Sequence, residues 1–356
     1  PETRRQMTVG PAAVVTVPAM DVKLDDSNFT LMDGGEIDAS STPIMLECVG
    51  TPCAVDLSGS VDCSSSACAT SVTALNGSID VTGLLSCTED SCSISTSARY
   101  IDVAGGITCS GDDCVIDSVA KKLGTYHTMH ATGDDSIIRV NVTSGSMILS
   151  DTVEASTIEL CASGDLVVAA GTHIDADGRG EASQSGTGAG AGPSWIYYTG
   201  YNYRYILAQY RWGSGSGGGH GGDGSDSKFL QTTSSTYFDG YPSGGSAYGS
   251  AVNPWTLGSG GGGYCNMHYN GEGCPVTTSG GSGGGRIKMV VGSVLTLSDG
   301  ATVSANGNDG ATSTGTTWYY YSSFSAGSGG GAGGSIQLHA NVIEGRGIVQ
   351  TNGGTG

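Results

Sequence analysis

The chain has 356 residues, of which only 13% are charged, with 33 acidic against 14 basic and a net charge of −19. No basic patch is dense enough to neutralise phosphates, which disfavours both nucleic acid and anionic membrane surfaces, so no nucleic-acid partner is expected. No run of about 18 apolar residues exists, so no membrane span is expected, and 62 glycines without a Gly-X-Y period exclude collagen.

The first twenty residues, "PETRRQMTVGPAAVVTVPAM", form an extended apolar run with Arg4-Arg5 ahead of it and Pro11 and Pro18 near its ends. A β-sheet exposes open strand edges at its end, which proteins normally cover. Residues 1–46 are therefore expected to hold an arm and cap strands. The arm caps its own chain's fold or adds a strand to a neighbouring subunit, the neighbour being preferred. The start at Pro1 and the end at "TNGGTG", inside a repeat, suggest a processed or partial piece of a longer precursor.

Residues 47–164 carry the strongest signal, an internal repeat. "IDVTGLLSCTEDSCSISTSARY" from Ile79 aligns without a gap on "IDVAGGITCSGDDCVIDSVAKK" from Ile101, a step of 22 residues. "VDLSGSVDCSSSAC" from Val55 fits the frame one unit earlier, and "ATGDDSII" from Ala131 one unit later, with Ala131 and Ser136 where cysteines stood. Apolar residues alternate within each unit and Gly/Ser/Asp clusters interrupt them, which is strand-turn-strand chemistry. A unit of this length matches one coil of a parallel β-helix, right-handed by the crossover rule. Ile94, Ile116, Ile138 and Leu160 are predicted to stack as one interior ladder.

Four Cys-x4-Cys pairs recur in this region: Cys48/Cys53, Cys63/Cys68, Cys87/Cys92 and Cys109/Cys114. A disulfide needs Cα atoms within about 7 Å, so the chain must turn between partners, and "SSSA", "TEDS" and "SGDD" are turn formers. Each pair should staple one corner of one coil. A thiolate metal cluster is the weaker reading, since no histidine accompanies the pairs at ligand spacing. Cys265 and Cys274 are expected to pair across a longer loop, and Cys161 is left over. The cysteines and the sequons at Asn28, Asn76 and Asn141 favour an oxidising, secretory route.

After residue 165 glycine dominates. "GTHIDADG" at 171, "GATVSANG" at 300 and "GIVQTNG" at 347 are variants of one strand, and "GGGRIKMVV" at 283 and "GGSIQLHA" at 333 of the strand before it. Between them lie tracts such as "GSGSGGGHGGDGS", read as ordered corners where backbones pass closely rather than as linkers. Together with "GGSAYGSAVNPWTLGSGGGG" and "GSGGGAGGSIQLHA", these segments resemble glycine-rich extracellular β-helix repeat proteins of microbial eukaryotes, including stramenopile flagellar-hair (mastigoneme) proteins. The resemblance covers residues 165–356 well and the cysteine coils loosely. It implies a secreted, glycosylated structural role, and the location it implies is the cell or flagellar surface.

Fourteen of the 16 tyrosines and all four tryptophans lie after residue 190. "WIYYTGYNYRYILAQYRW" at 195 and "TTWYYYSSF" at 316 interrupt the repeat at one phase, so they should project from one side of the fold. Trp195, Tyr197, Tyr201, Tyr203, Trp212, Trp318, Tyr319, Tyr320 and Tyr321 are the predicted subunit interface, because Tyr and Trp dominate binding hot spots. Packing back on the glycine corners is the plain structural reading, and stacking on carbohydrate the other functional one.

Catalytic chemistry is weighed and set aside. Polygalacturonase-like enzymes carry Asp-Asp, Gly-His-Gly and Arg-Ile-Lys motifs, and this chain has Asp134-Asp135, "GHG" around His220 and "RIK" from Arg286. The paired aspartates occupy a turn that recurs at Asp112-Asp113, and the motif gaps exceed the one or two coils such enzymes leave. "GGHGGD" also fits half of a calcium-binding nonapeptide, but no second copy follows. The expected fold is an all-β, right-handed parallel β-helix with disulfide-stapled corners and Gly-rich loops. The expected function is a non-enzymatic subunit of an extracellular filament, a homo-oligomer carrying N-glycans, with O-glycans as an open option, and no cofactor. A glycan-binding adhesion module is the alternative, and a polysaccharide-degrading enzyme the third.

Overall fold

The computed structural model of the chain describes residues 6–17, 20–25, 27–39, 43–50, 53–64, 68–192, 212–213, 215–227, 242–266, 276–316 and 323–356. It divides into two compact units. The first comprises residues 1–175, 287–304 and 337–349, and the second residues 176–286, 305–336 and 350–356. The 165–356 segment of the sequence is thus shared between the units.

The first unit is a parallel β-solenoid built of three ladders. In chain order the first coil contributes Gln6–Val9, Val14–Val17 and Met20–Asp25, each lying parallel to the matching strand of the next coil. Call the ladders that these strands begin the second, third and first ladder, respectively. The strand Ser93–Cys109 runs through all three, bending at two register shifts instead of breaking. Parallel pairing throughout this sheet excludes the hairpin sandwich that short strands could also have formed.

Alternation explains the core. In the second ladder Val55, Ile79 and Ile101 are register partners and fully buried, as are Leu57, Val81 and Val103 two residues on. In the third, Val61, Leu85, Ile107 and Met129 stack. The period-two pattern puts one set of side chains inside every coil, so equivalent residues meet one coil apart. The predicted interior ladder needs one correction. Ile94, Ile116 and Ile138 stack, but Ile138 meets Ile158, while Leu160 meets Val140. The coil between Ile138 and Ile158 takes 20 residues instead of 22, a shortening that the 22-residue frame did not anticipate.

Over its described residues the N-terminal arm follows the first of its two alternatives, pairing within its own chain. Gln6–Val9 and Val14–Val17 pair with Asn28–Leu31 and Glu36–Ala39 of their own chain as the first coil. Their alternating patterns match the frame one step later, so self-pairing satisfies the backbone locally.

The variants of one strand recognised beyond residue 165 do stack. His173, Ile174 and Asp175 pair with Thr302, Val303 and Ser304. Between these partners the chain travels 129 residues, which include the first segment of the second unit, 176–286.

Tyr126 is the largest side chain fully enclosed in the solenoid, where Val103 and Leu149 flank it in register. Gly124 makes room, since a Cβ there would lie 2.6 Å from the ring. The phenol bonds Ser118 Oγ at 2.8 Å, which in turn accepts from Thr96 Oγ1 at 2.8 Å. Burial pushes the phenol well above its ordinary value. The unfolded chain ionises near pH ~10 and the native state holds the proton more tightly. Stability should therefore be level below that pH and fall above it. Tyr126→Phe should cost about 1 kcal/mol at neutral pH and lose part of the alkaline fall. Urea melts of both chains across that range check this, and equal alkaline slopes would contradict it.

The second unit is built differently. Gly215, Ser216, Gly217, Gly218 and Gly219 donate in turn to Gly327, Ala191, Ser225, Gly330 and Gly188. The partner segment thus recurs every third residue. Ser328, Gly331 and Gly334 likewise donate to Ala311, Asn308 and Ala305, while Gly329 and Ala332 donate to Gly262 and Ser259. A helix with three residues per turn and no internal hydrogen bonds points successive N–H groups in three directions, as polyproline II does. The glycine tracts are such extended segments packed side by side, not loops on solenoid corners. Backbones this close leave no space for a Cβ: one on Gly329 would overlap Ser216 O, and one on Gly215 would overlap Gly262 O.

Candidate functional site

The four Cys-x4-Cys pairs are disulfides, with Cα–Cα distances of 6.0, 6.1, 6.2 and 6.0 Å. They staple two different corners. Cys63, Cys87 and Cys109 are register partners at the end of the third ladder. Cys48 pairs with Ala74 at the end of the first ladder, so its bridge to Cys53 closes the corner before Ala54. That explains the irregular 15-residue gap between the first two pairs. One coil beyond Cys109, Ala131 takes its place and Ser136 Oγ donates to Ala131 O at 2.8 Å, a hydrogen bond where the disulfide stood. Cys161 is a half-buried free thiol, pushed up by burial and by Glu159, with Lys288 opposing. Cys265 stands in the strand Tyr264–Asn266, and its expected partner Cys274 lies outside the described residues.

The aspartate pairs belong to the stapled corners. Asp112 N–H donates to Asp90 Oδ1 at 3.0 Å and Asp134 N–H to Asp112 Oδ1 at 3.1 Å, coil upon coil. Ser91, Asp113 and Asp135 all take left-handed backbone, φ 58°, 58° and 54°. Asp tolerates that region because its short side chain bonds locally. Turn chemistry therefore accounts for Asp134-Asp135.

His220 and Arg286 lie in the second unit, whereas Asp134 lies in the first. His220 Nε2 meets Thr256 Oγ1 at 2.7 Å and Ser335 Oγ at 3.5 Å, and its ring packs edge-on to Tyr248. Burial holds the imidazole below its ordinary value, opposed by backbone groups of Gly333 and Gly334. Tyr248 hydroxyl donates to Leu257 O and bonds Ser259 Oγ. Ser335 and Ser259 are buried, so this network ties glycine segments together. In the sequence His220 stands out only through the local Gly-His-Gly and GGHGGD motifs. Its partners are 36 and 115 residues away, and no local signal connects them. Arg286 covers the Trp255 ring at 4.8 Å. Among the described residues no group of three or more His, Cys, Asp or Glu could hold a metal ion.

Of the sequons, Asn76 and Asn141 are exposed, and Asn28 is half-buried with its amide oxygen accepting Ala54 N–H at 3.2 Å.

Trp195, Tyr197, Tyr201, Tyr203, Trp318, Tyr319, Tyr320 and Tyr321 lie outside the described residues; Trp212 is placed through its backbone only. The residues that flank these segments are described, and they meet. Ser216, just after the first segment, donates its N–H to Ala191 O just before it, at 3.1 Å. Its hydroxyl donates to Ser243 O at 2.8 Å, just after the segment 228–241. Gly262, which precedes Tyr264, donates to Ser216 O and accepts from Gly329, which in turn accepts from Gly281. Trp212–Gly213, Tyr264–Asn266 and Val276–Thr278 join as an antiparallel sheet, and Thr312–Thr316 pairs with Ser323–Gly327. Described residues beside the segments 193–211, 228–241, 267–275 and 317–322 are thus linked by hydrogen bonds or strand pairing.

No helix of the described residues is long and apolar enough to cross a membrane, and the four disulfides fit a secreted or extracellular protein. No protein-family model, curated protein or solved structure matches the chain.

Proposed function

We propose that the protein is an extracellular recognition module whose glycine-rich unit carries an aromatic binding end, with carbohydrate of a cell surface or matrix as its partner. The observation behind this reading is the hydrogen bonding among Ala191, Ser216, Ser243, Gly262 and Gly329, which lie beside the Tyr-, Trp- and Phe-rich segments 193–211, 228–241 and 317–322. Loops held together by a rigid scaffold are where binding residues concentrate. Tyr amid Ser, Gly and Asn is also the composition of adaptable binding loops. Aromatic faces stack on sugar rings, and the cost in side-chain freedom is small.

A filament subunit, the role that the mastigoneme-like motifs suggest, stands second. An open polymer needs two different complementary surfaces on each subunit. The aromatic-rich segments would supply one. N-glycans at the exposed Asn76 and Asn141 suit either role.

The test is the triple variant Trp195→Ser, Trp212→Ser and Trp318→Ser against the parent, by circular dichroism, a polysaccharide-binding panel and electron microscopy. The expected result is a retained fold with carbohydrate affinity lowered more than ~30-fold. Parent filaments that the variant fails to form, with no sugar binding by either chain, would favour the second reading. Unchanged binding and unchanged assembly would sink both.

A further inference from the structure

One stretch of the second ladder carries both signs of charge in adjoining rows. Asp56, Asp80 and Asp102 are register partners in three consecutive coils, and Asp80 and Asp102 are exposed. Coils lie about 4.8 Å apart, so the carboxylates form a column. Burial and the charges of Asp102 and Asp56 push the Asp80 carboxyl above its usual range. Two positions back along the strands, Tyr100 and Leu123 are partners across neighbouring coils and 42% and 38% exposed. One position further back Arg99 stands opposite the bulged pair Lys121-Lys122, where the register shifts.

These three cations are exposed, and Arg99 lies over the Tyr100 ring at 5.4 Å. Among the described residues none of them has a carboxylate within ion-pair distance. They are three of only 14 basic residues in a chain of net charge −19.

We propose that this face is a self-complementary docking surface for a second copy of the chain, related by a two-fold axis normal to the second ladder near Tyr100. Such an axis reverses both the strand direction and the stacking direction. The acidic column lies on one side of the Tyr100 row and the cations on the other. Rotation therefore brings Arg99 against Asp102 of the second copy and the lysine pair towards its Asp80, each twice over. Tyr100 and Leu123 are enclosed between the charged rows, where aromatic and aliphatic anchors contribute most. An anionic polymer would use the cations but meet repulsion from the acidic column beside them, so a partner bearing both signs fits better. The inference is independent of what the aromatic end binds.

The experiment is sedimentation equilibrium on the full chain. A dimer is expected that weakens between about 0.05 and about 0.5 M salt. Arg99→Glu with Lys121→Glu and Lys122→Glu, and separately Asp80→Lys with Asp102→Lys, should each raise Kd more than ~10-fold. An equimolar mixture of the two variants should restore the dimer, because every swapped charge then faces its opposite. A parent chain that is monomeric at every salt concentration overturns the proposal, as does a mixture no tighter than either variant. A monomer that binds polyuronate through these cations would assign the face to an anionic polymer instead.

Discussion

Gly329→Ala is expected to unfold the glycine-rich unit, although it adds a single methyl group. The new Cβ would overlap Ser216 O and the Ser216 carbonyl carbon, and the nearest atoms are all backbone. No side chain can rotate away. Relief requires one extended segment to move off another. That breaks the Gly329-to-Gly262 and Gly281-to-Gly329 hydrogen bonds and leaves buried backbone groups unpaired. The cost should exceed ~3 kcal/mol, a large share of a domain's stability. Gly221→Ala is the control: nothing lies within 4 Å of its added Cβ, and its backbone is not left-handed. It should be neutral or stabilising by up to ~1 kcal/mol, since Ala restricts the unfolded chain. Thermal melts followed by circular dichroism separate the two. Equal melting temperatures would mean that the close packing of glycine segments is wrong.

That contrast shows where sequence reading stopped. Ile79 and Ile101, or Cys87 and Cys109, announce themselves because a parallel coil puts identical residues at one register. A period in the sequence is then a contact in space, and the solenoid is legible residue by residue. The tracts around Gly215, Gly260 and Gly329 have a period too, but three residues of near-identical glycine carry no mark of which N–H faces which neighbour. Composition indicated close backbone approach there. It did not indicate a separate unit in which the hydrogen bonds run between distant segments.

The same limit applies to the candidate sites. Asp134 was correctly assigned to a turn because its local context repeats at Asp112. The Cys48–Cys53 bridge was recognised, while its placement at another corner was hidden, because the sequence shows a spacing and not the ladder in which Cys48 meets Ala74. The charged face needs the same information. Asp56, Asp80 and Asp102 follow the visible 24- and 22-residue steps. Arg99 facing Lys121-Lys122 depends on a register shift that no alignment of the repeats displays.

Removing the staples should lower the stability of the solenoid unit by more than in proportion to their number. Each bridge closes a loop of six residues, and on the chain-entropy model that contributes about 2 kcal/mol. Cys63–Cys68, Cys87–Cys92 and Cys109–Cys114 hold one corner of three successive coils. Opening one therefore removes support from the next, and their effects should exceed simple addition. Replacing Cys87 and Cys92 by Ala is expected to cost about 2 kcal/mol or more, and replacing all three pairs upward of ~6 kcal/mol. The converse change gives the sign a second check. Ala131 and Ser136 occupy the same corner one coil on, held by the Ser136-to-Ala131 hydrogen bond. Ala131→Cys with Ser136→Cys should extend the staple and raise stability by up to ~2 kcal/mol after oxidation, and lose that gain on reduction. Guanidinium melts of the oxidised and reduced chains measure both. If the triple-pair variant melted with the parent, the corners would owe their geometry to turn residues and stacked coils alone, and the bridges would be ornamental to the fold.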